Sequence, residues 1–258
     1  AKRVWGVIGT IVLVGVLTMA IFVGIFMTYI NKSLKGHVEV DMSEYDRKVS
    51  TELYRLGTDG ETWEMYQTLF SDENRIWVDI GDIPEYLQEA TIAIEDKRFK
   101  THHGVDWKGT LRAITSTLTG SGTQGGSTIT QQLIKNLTDD NSASGIDGAL
   151  RKVREIYRAL CLSRSYSKET ILEAYLNTIS FTGTIQGVQT AANEYFNKDV
   201  SQLSLWECAT IASITKNPTN YNPYTNPENL IHRRNFIMYN MWQQGVISEE
   251  DYRNGAAQ

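Results

Sequence analysis

The sequence has few of the residues that cross-link a chain or bind metal. Its 258 residues include two cysteines and four prolines, and neither Cys161 nor Cys208 belongs to a C-x-x-C pair. Both cysteines lie in apolar stretches, so we predict buried free thiols. His102 and His103 are adjacent but have no second ligand set at metal spacing, which excludes a zinc site.

The chain also lacks a basic surplus. Its formal net charge is -5, so there is no overall positive field to hold nucleic acid, and we predict no nucleic-acid partner. Hydrophobic residues make up 41% of the chain and charged residues 21%. These proportions are ordinary for a globular protein and argue against extensive disorder.

The N-terminus has no charge at all over a long stretch, because residues 4–30 are 27 residues without Asp, Glu, Lys or Arg. As a helix rising about 1.5 Å per residue, this stretch would reach roughly 40 Å, enough to cross a bilayer. A cleaved signal peptide has an apolar run of only about 7–15 residues. We therefore predict a transmembrane helix over 4–30, a juxtamembrane segment over 31–75 and a globular domain over 76–258. Two basic residues before the span are matched by two after it, which leaves its orientation open.

Helical periodicity dominates the rest of the chain, which predicts a mainly α domain on a membrane tether. The polar segment 31–59 predicts helical character, and residues 75–80 alternate as in a short extended segment. Pro84 begins a long helix with a broad apolar face. Further helices are predicted over Trp107–Leu118, Ile129–Leu137, Leu150–Leu162, Lys168–Thr178, Val188–Phe196, Leu205–Thr215 and Leu230–Gln243.

Four clusters place polar residues beside apolar helical faces. In the first, Glu95 and Asp96 end an apolar helix just before a basic stretch. A carboxylate against an apolar wall is a candidate acid or base. Taken alone, this cluster is better explained as a solvated helix C-terminus, whose basic residues complement the helix dipole.

The second cluster is a glycine-rich loop that leads into a helix. It resembles a phosphate loop, but Gly126 occupies the place of the required lysine, which excludes that motif. Two pairs of residues, Gln131–Lys135 and Gln132–Asn136, lie one turn apart and give the helix a polar face with a cation. Together with the helix N-terminus this face suits a phosphate ligand. A solvated face explains it equally well.

The third cluster contains Arg151 and Glu155, an i,i+4 pair that surface helix pairing explains. The fourth is K-E-T-I-L-E-A-Y-L-N, from Lys168 to Asn177. Ser165 and Lys168 also match S-x-x-K, the acylation signature of penicillin-binding domains. No K-T-G or S-x-N triplet accompanies it, so we interpret the match as chance.

In their order along the chain, the four clusters resemble a single family. They match E-D-x-x-F-x-x-H-x-G, G-G-S-T-I-T-Q-Q-L-x-K-N, R-K-x-x-E and K-x-x-I-L-E-x-Y-L-N of the bacterial peptidoglycan glycosyltransferases, glycosyltransferase family 51. The resemblance covers about Trp77 to Tyr252. A weaker fifth element begins at Arg233 and resembles R-R-x-x-V-L, with Met238 as its last residue, and Asn197 stands where glycine is usual.

The family includes monofunctional enzymes and the glycosyltransferase region of class A penicillin-binding proteins, and we expect this chain to be a fragment of a longer protein. The resemblance implies a lysozyme-like, mainly α fold that polymerises lipid II on the outer face of the bacterial cytoplasmic membrane. The partners it implies are lipid II, the nascent lipid-linked glycan and the membrane itself. In the implied reaction, the acceptor 4-hydroxyl attacks C1 of the donor with inversion, and lipid pyrophosphate departs.

The resemblance also implies roles for individual residues. By motif position, Glu95 corresponds to the general base and Glu155 to a second essential glutamate. Lys135, Arg151 and a divalent cation, Mg²⁺ or Mn²⁺, would stabilise the departing pyrophosphate. Positions that shape the donor and acceptor clefts correspond to Asp96, Phe99, His102, Ser127, Thr128, Gln131, Gln132 and Asn136.

Two other classes of protein stay open as alternatives. A glycan hydrolase on a lysozyme-like fold needs a second carboxylate or an activated water near the first, and its basic helices would have no phosphate to bind. A non-catalytic, membrane-anchored cell-wall scaffold would have no use for Glu95 and Glu155. Strand growth on lipid II distinguishes the three.

Overall fold

The computed structural model describes residues 2–29, 51–56, 62–69, 76–120, 125–138, 145–183 and 185–258. The chain divides into two compact units, residues 1–40 and 41–258. The first unit contains helix α1, Lys2–Tyr29, which is 28 residues long. Residue 30 of the predicted span lies outside the described residues. Within those residues, no helix combines the length and the apolar character that crossing a membrane requires.

A β-hairpin opens the described part of the second unit. Strand β1, Thr51–Leu56, pairs antiparallel with β2, Trp63–Leu69. The prediction of helical character over 31–59 is therefore wrong for β1. Leu56 lies opposite Trp63, and such apolar cross-strand pairs stabilise a strand that local polarity does not predict. The remainder of the predicted juxtamembrane segment, residues 31–50, 57–61 and 70–75, lies outside the described residues.

Helices make up most of the second unit after the hairpin, which confirms the predicted mainly α class. The described helices are α2 (Glu85–Glu95), α3 (Trp107–Thr119), α4 (Ile129–Thr138), α5 (Gly145–Ser165), α6 (Lys168–Thr178), α7 (Val188–Phe196), α8 (Leu205–Ile214), α9 (Pro227–Gln243) and α10 (Glu249–Ala256). The described residues also include two short 3-10 turns, at Ile80–Asp82 and Val200–Gln202.

Capping residues explain several helix boundaries. The Ser167 side chain accepts from the Thr170 N–H at the start of α6, and Ser204 with Glu207 forms a capping box at the start of α8. Helix α7 ends at Asn197, whose φ of 51° is in the left-handed region. Asparagine tolerates that region better than most residues, so it replaces the family's usual glycine there without disrupting the helix end.

The core forms where α2 packs against α8 and α9, and where α4 packs against α5 and α6. Helix α8 is buried along most of its length, and Cys208 in it is completely buried. Burial raises the pKa of the Cys208 thiol to about 12. Cys161 on α5 is only half-buried, so the prediction of two buried thiols is confirmed for Cys208 alone.

Two side chains of α6 form hydrogen bonds with the extended segment that precedes the 3-10 turn at Ile80–Asp82. The side-chain amide of Asn177, which is completely buried, donates to the Val78 carbonyl over 2.8 Å and accepts from the Val78 N–H over 2.9 Å. Glu173 accepts from the Ile80 N–H over 2.9 Å and from Trp77 Nε1 over 3.3 Å. These contacts satisfy backbone groups of Val78 and Ile80, in a segment that pairs with no strand of the described ranges.

Candidate active site

A cavity of about 400 Å³ lies between the end of α2, the start of α3, the glycine-rich segment before α4, and α9. It brings together residues of the first two clusters and of the weaker fifth element. Its lining includes Glu95, Asp96, Lys97, Arg98, Asp106, Arg112, Gly126, Ser127, Thr128, Lys216, Arg233 and Phe236. Five of these side chains are basic and three are acidic, so the lining favours a ligand with anionic groups.

One of these cations is already paired. The Arg98 Nε lies 3.1 Å from each carboxylate oxygen of Asp106, and Asp106 also accepts from the Gly109 N–H at the start of α3. Burial raises the pKa of the Asp106 carboxyl, but the hydrogen bonds from Arg98 and Gly109 outweigh it and lower the pKa below its ordinary value. This pair therefore shapes the cavity wall and caps α3.

Glu95 is the last residue of α2 and is half-buried at the cavity. Its Oε2 accepts from Gln132 Nε2 on α4 over 2.9 Å. The Gln132 Oε1 in turn accepts from the Tyr175 hydroxyl on α6 over 3.2 Å. None of the described residues donates a hydrogen bond to Glu95 Oε1. One carboxylate oxygen is thus held by the protein, and the other is available to a ligand.

Asp96, the next residue, has a different environment. Its two carboxylate oxygens lie 2.9 and 2.8 Å from His102 Nε2, and Oδ2 also accepts from the Ile129 N–H over 3.1 Å. Ile129 begins α4, where the helix dipole favours a negative charge. Asp96 is 6% exposed. Asp96 therefore connects the turn after α2 to the start of α4, and it also forms part of the cavity lining.

Phe99 and Lys168 also stabilise the turn after α2. Phe99 is 1% exposed, and the Lys168 ammonium lies 4.5 Å from the centre of its ring. Lys168 also donates to the His102 carbonyl over 2.6 Å. Phe99 contributes to a groove between α2 and α6 and is absent from the lining of the main cavity, so it supports the turn from within the core.

The start of α4 is held by its own polar residues. Thr128 Oγ1 accepts from the Gln131 N–H over 3.2 Å, and Gln131 Oε1 accepts from the Thr128 N–H over 2.9 Å. Thr128 Oγ1 also donates to the Gly104 carbonyl over 2.6 Å. Both side chains are 1% exposed. Of the residues predicted here to shape the substrate clefts or stabilise the pyrophosphate, Lys135 and Asn136 are exposed, whereas Thr128 and Gln131 are buried, and Thr128 also lines the cavity.

Glu155 lies on α5 and is 6% exposed. Arg151 Nη1 lies 3.3 Å from its Oε2, and Lys152 Nζ donates to its Oε1. The same ammonium donates to Ser127 Oγ over 2.8 Å. Since Ser127 lines the cavity, Lys152 connects Glu155 to the cavity edge.

The structure brings the predicted leaving-group residues together. Lys135, Arg151 and Glu155 line one narrow cleft beside α4, together with Arg158. The cleft therefore has three cations around one buried carboxylate, but its volume of about 10 Å³ has room for no more than a water molecule. The cations would contact a phosphate only at the opening of the cleft.

The side chains of this cleft are poorly suited to bind a divalent cation without help from a ligand. Within the described ranges, no group of three Asp, Glu, His or Cys side chains could hold a metal. Glu155 is the carboxylate of the cleft, and Lys152 and Arg151 already pair with it. Mg²⁺ is usually held by one or two carboxylates plus substrate phosphates. The described residues by themselves do not form a metal site, and the divalent cation predicted at the pyrophosphate stays a prediction.

Residues 60–242 match the family model of the transglycosylases. The chain belongs to the transglycosylase family. Among curated proteins, it is 40% identical over 226 residues to Penicillin-binding protein 1F of Bacillus subtilis (strain 168). The aligned region covers 86% of this chain and 30% of that protein. It is 38% identical over 197 residues to Penicillin-binding protein 1A of Mycolicibacterium smegmatis, covering 76% of this chain and 25% of that protein.

This transglycosylase chain spans less than a third of the length of these relatives. Among solved structures, Penicillin-binding protein 1A from Haemophilus influenzae matches with a TM-score of 0.46 and 21% identity, over 81% of this chain and 21% of that chain. The family match confirms the membership and the enzyme class predicted from the sequence, glycosyltransferase family 51.

Sequence reasoning missed several residues of the site. Lys152 belongs to the R-K-x-x-E motif, which is the signal that could have found it. Tyr175 belongs to the fourth motif, but only the fold shows that it lies behind Glu95. Arg112 and Lys216 lie in no matched motif, and nothing in their local sequence predicts that they line the cavity.

Proposed function

We propose that this chain is the glycosyltransferase region of a peptidoglycan polymerase, which extends glycan strands from lipid II. The observation that carries the proposal is the placement of Glu95, half-buried at a cation-lined cavity with one carboxylate oxygen held by Gln132. An alcohol is a poor nucleophile at neutral pH, and a positioned carboxylate that takes its proton contributes typically about 10²–10⁴-fold to the rate. Membership of the transglycosylase family supports the same reaction.

In the proposed reaction, Glu95 Oε1 takes the proton of the acceptor sugar 4-hydroxyl. The hydroxyl oxygen then forms a bond to C1 of the donor sugar on the nascent strand. The bond between C1 and the pyrophosphate oxygen breaks, and lipid pyrophosphate leaves from the opposite face, which inverts C1. Negative charge develops on that leaving oxygen, so cations held nearby in advance stabilise the transition state.

Two groups of cations suit the two anionic substrates. We assign the donor pyrophosphate to the opening of the narrow cleft that Lys135, Arg151 and Arg158 line. The acceptor pyrophosphate would lie in the main cavity, where Lys216 and Arg233 contribute to the lining. The predicted Mg²⁺ or Mn²⁺ would be held mainly by the oxygens of the pyrophosphate, because Glu155 is already paired.

We further propose that residues 4–30 anchor the chain in the bacterial cytoplasmic membrane, with the helical body on the extracytoplasmic side. No described helix meets the requirements of a span, so the support is the uncharged sequence of residues 4–30, most of which lies in the 28-residue helix α1. The proposed substrate presents its sugars on the outer face. The flanking charges do not favour either side.

The substitution Glu95→Gln tests the function. It keeps the size of the side chain and removes its ability to take a proton. We expect strand synthesis from lipid II to fall at least roughly 10²-fold, with lipid II binding retained. Glu85→Gln, at the exposed start of the same helix, is the matched control and should leave the rate unchanged. Near-normal synthesis by Glu95→Gln would remove the proposed base, and strand cleavage by the unaltered protein would favour a hydrolase.

A further inference from the structure

A buried tyrosine lies behind the proposed base. Tyr175 on α6 is 1% exposed. Its hydroxyl donates to Gln132 Oε1 on α4 over 3.2 Å, and Gln132 Nε2 donates to Glu95 Oε2 at the end of α2 over 2.9 Å. These two bonds form a chain, here named the Tyr175 hydrogen-bond chain, which links three helices and ends on the carboxylate.

The tyrosine proton sets the direction of this chain. Burial raises the pKa of Tyr175 well above its ordinary value, and the nearby carboxylates of Glu95 and Asp96 raise it further. The hydroxyl therefore stays protonated and donates. Gln132 then turns its carbonyl oxygen toward Tyr175 and its NH₂ group toward Glu95. The reversed amide would place the Gln132 carbonyl against the carboxylate, with two acceptors and no proton between them.

The consequence is that the two oxygens of Glu95 become different. Oε2 accepts from Gln132, and no donor from the described residues reaches Oε1. A general base has to lie within hydrogen-bond reach of the proton it takes, and a misplacement of about 1 Å costs on the order of 10²-fold in rate. A glutamate at a helix end has several rotatable bonds, so its position depends on such a contact.

We propose that Tyr175 is a positioning residue for the transfer reaction, which holds Glu95 through Gln132 and thereby presents Oε1 to the acceptor hydroxyl. The inference rests on the proposed role of Glu95 as the base. Tyr175 is absent from the lining of the cavity, so its effect on the reaction passes through Gln132 and requires no contact with substrate.

The test is the substitution Tyr175→Phe in the whole chain, which keeps the ring in the core and removes the hydroxyl alone. We expect the kcat for strand synthesis from lipid II to fall about tenfold, with KM unchanged, because the hydroxyl affects the base and not the binding of substrate. A merely structural tyrosine would lower the melting temperature and leave the kcat of the folded protein at its original value. That result would overturn the inference.

A double-mutant cycle identifies the route. In a Gln132→Ala background the Tyr175 hydroxyl has lost its connection to Glu95, so adding Tyr175→Phe should cause no further fall in kcat. If the double variant instead loses kcat by the product of the two single losses, Tyr175 acts by another route, and the inference is contradicted.

Tyr195→Phe is the matched control. The Tyr195 hydroxyl shares a 2.6 Å hydrogen bond with Thr182 and has no described contact with Glu95 or Gln132. Removing the same atom there should leave kcat unchanged. If the unaltered chain extends strands and Tyr175→Phe does so equally fast, the positioning role fails and the proposed function stands. If the unaltered chain extends no strands, the proposed function itself fails.

Discussion

Glu95 and Asp96 are adjacent carboxylates with different surroundings. Glu95 is half-buried, and one of its oxygens is available to a ligand at the cavity. Asp96 is closed off by His102 and by the Ile129 N–H. A carboxylate whose oxygens are already engaged is poorly placed to take a proton from a substrate, so the two residues have separate roles.

We expect Asp96→Asn to act mainly on stability. The asparagine NH₂ group would replace either Oδ1, beside His102 Nε2, or Oδ2, beside both His102 Nε2 and the Ile129 N–H. In either case the negative charge that the start of α4 favours would be lost from a buried position. We predict a fall in the free energy of unfolding of about 2–3 kcal/mol, measured by urea denaturation. The control is Asp79→Asn at an exposed position, which should change the free energy of unfolding by no more than about 0.5 kcal/mol. Unchanged stability with a large loss of strand synthesis would instead make Asp96 part of the reaction.

The sequence predicted which residues belong to the motifs but not where each side chain lies in the fold. Phe99 and Thr128 were predicted to shape substrate clefts, and the structure shows that both are also buried, where they support a turn and a helix start. Motif membership does not distinguish a residue that touches substrate from one that holds its neighbour. The contacts of Lys152 with Ser127 and of Tyr175 with Gln132 join separate segments of the chain, so the sequence alone did not predict them.

Among the helices and strands, the predictable boundaries are those set by local chemistry. The predicted bounds Lys168–Thr178 and Val188–Phe196 are those observed, because a serine cap precedes the first helix and a left-handed asparagine ends the second. Helix Pro227–Gln243 begins three residues earlier than predicted, with its proline in the first turn. Glu249–Ala256 was missed because it is short and polar. The β1 strand was missed because its stability comes from its partner strand.

The turn after α2 and helix α5 meet at a glycine. Gly104 has φ +83°, and a Cβ there would collide with the backbone carbonyl of Ala159 on α5. We expect Gly104→Ala to lower the free energy of unfolding by at least about 2 kcal/mol, from the left-handed backbone and the collision together. Denaturant midpoints measure the effect.

Gly245 is the control for that substitution. Its φ is +74°, and a Cβ added there would have no atom of the described residues within 4 Å, so Gly245→Ala should cost only about 1 kcal/mol from the backbone alone. Equal losses at the two glycines would mean that α5 moves aside freely. In that case, Gly104 would not fix the position of the helix that carries Glu155.

At the scale of the whole molecule, the charge of the chain and the charge of the site differ in sign. The chain has a formal net charge of -5, whereas more basic than acidic side chains line the cavity, and three cations surround Glu155 in the neighbouring cleft. Composition averages over the whole surface, so it does not reveal a local surplus of arginine and lysine. Only the fold brings Arg112, Lys216 and Arg233 together.

The proposed orientation of the whole chain predicts its accessibility. In cells whose wall has been removed, added protease should degrade the helical body, because the proposed span leaves it outside the cytoplasmic membrane. A cytoplasmic marker protein in the same sample should stay intact, which shows that the membrane is sealed. Protection of the helical body under these conditions would place it in the cytoplasm and contradict the proposed function.

The burial of Cys208 has a practical consequence for spectroscopy. A thiol with a pKa of about 12 forms almost no thiolate at neutral pH, so it does not compete for a maleimide dye. Cys161 is the one other cysteine of the chain, and replacing it would leave a background without reactive thiols. A cysteine introduced at Gly125, which is exposed at the cavity edge, would then carry a single fluorophore. Its emission would report the arrival of a lipid-linked sugar at the cavity.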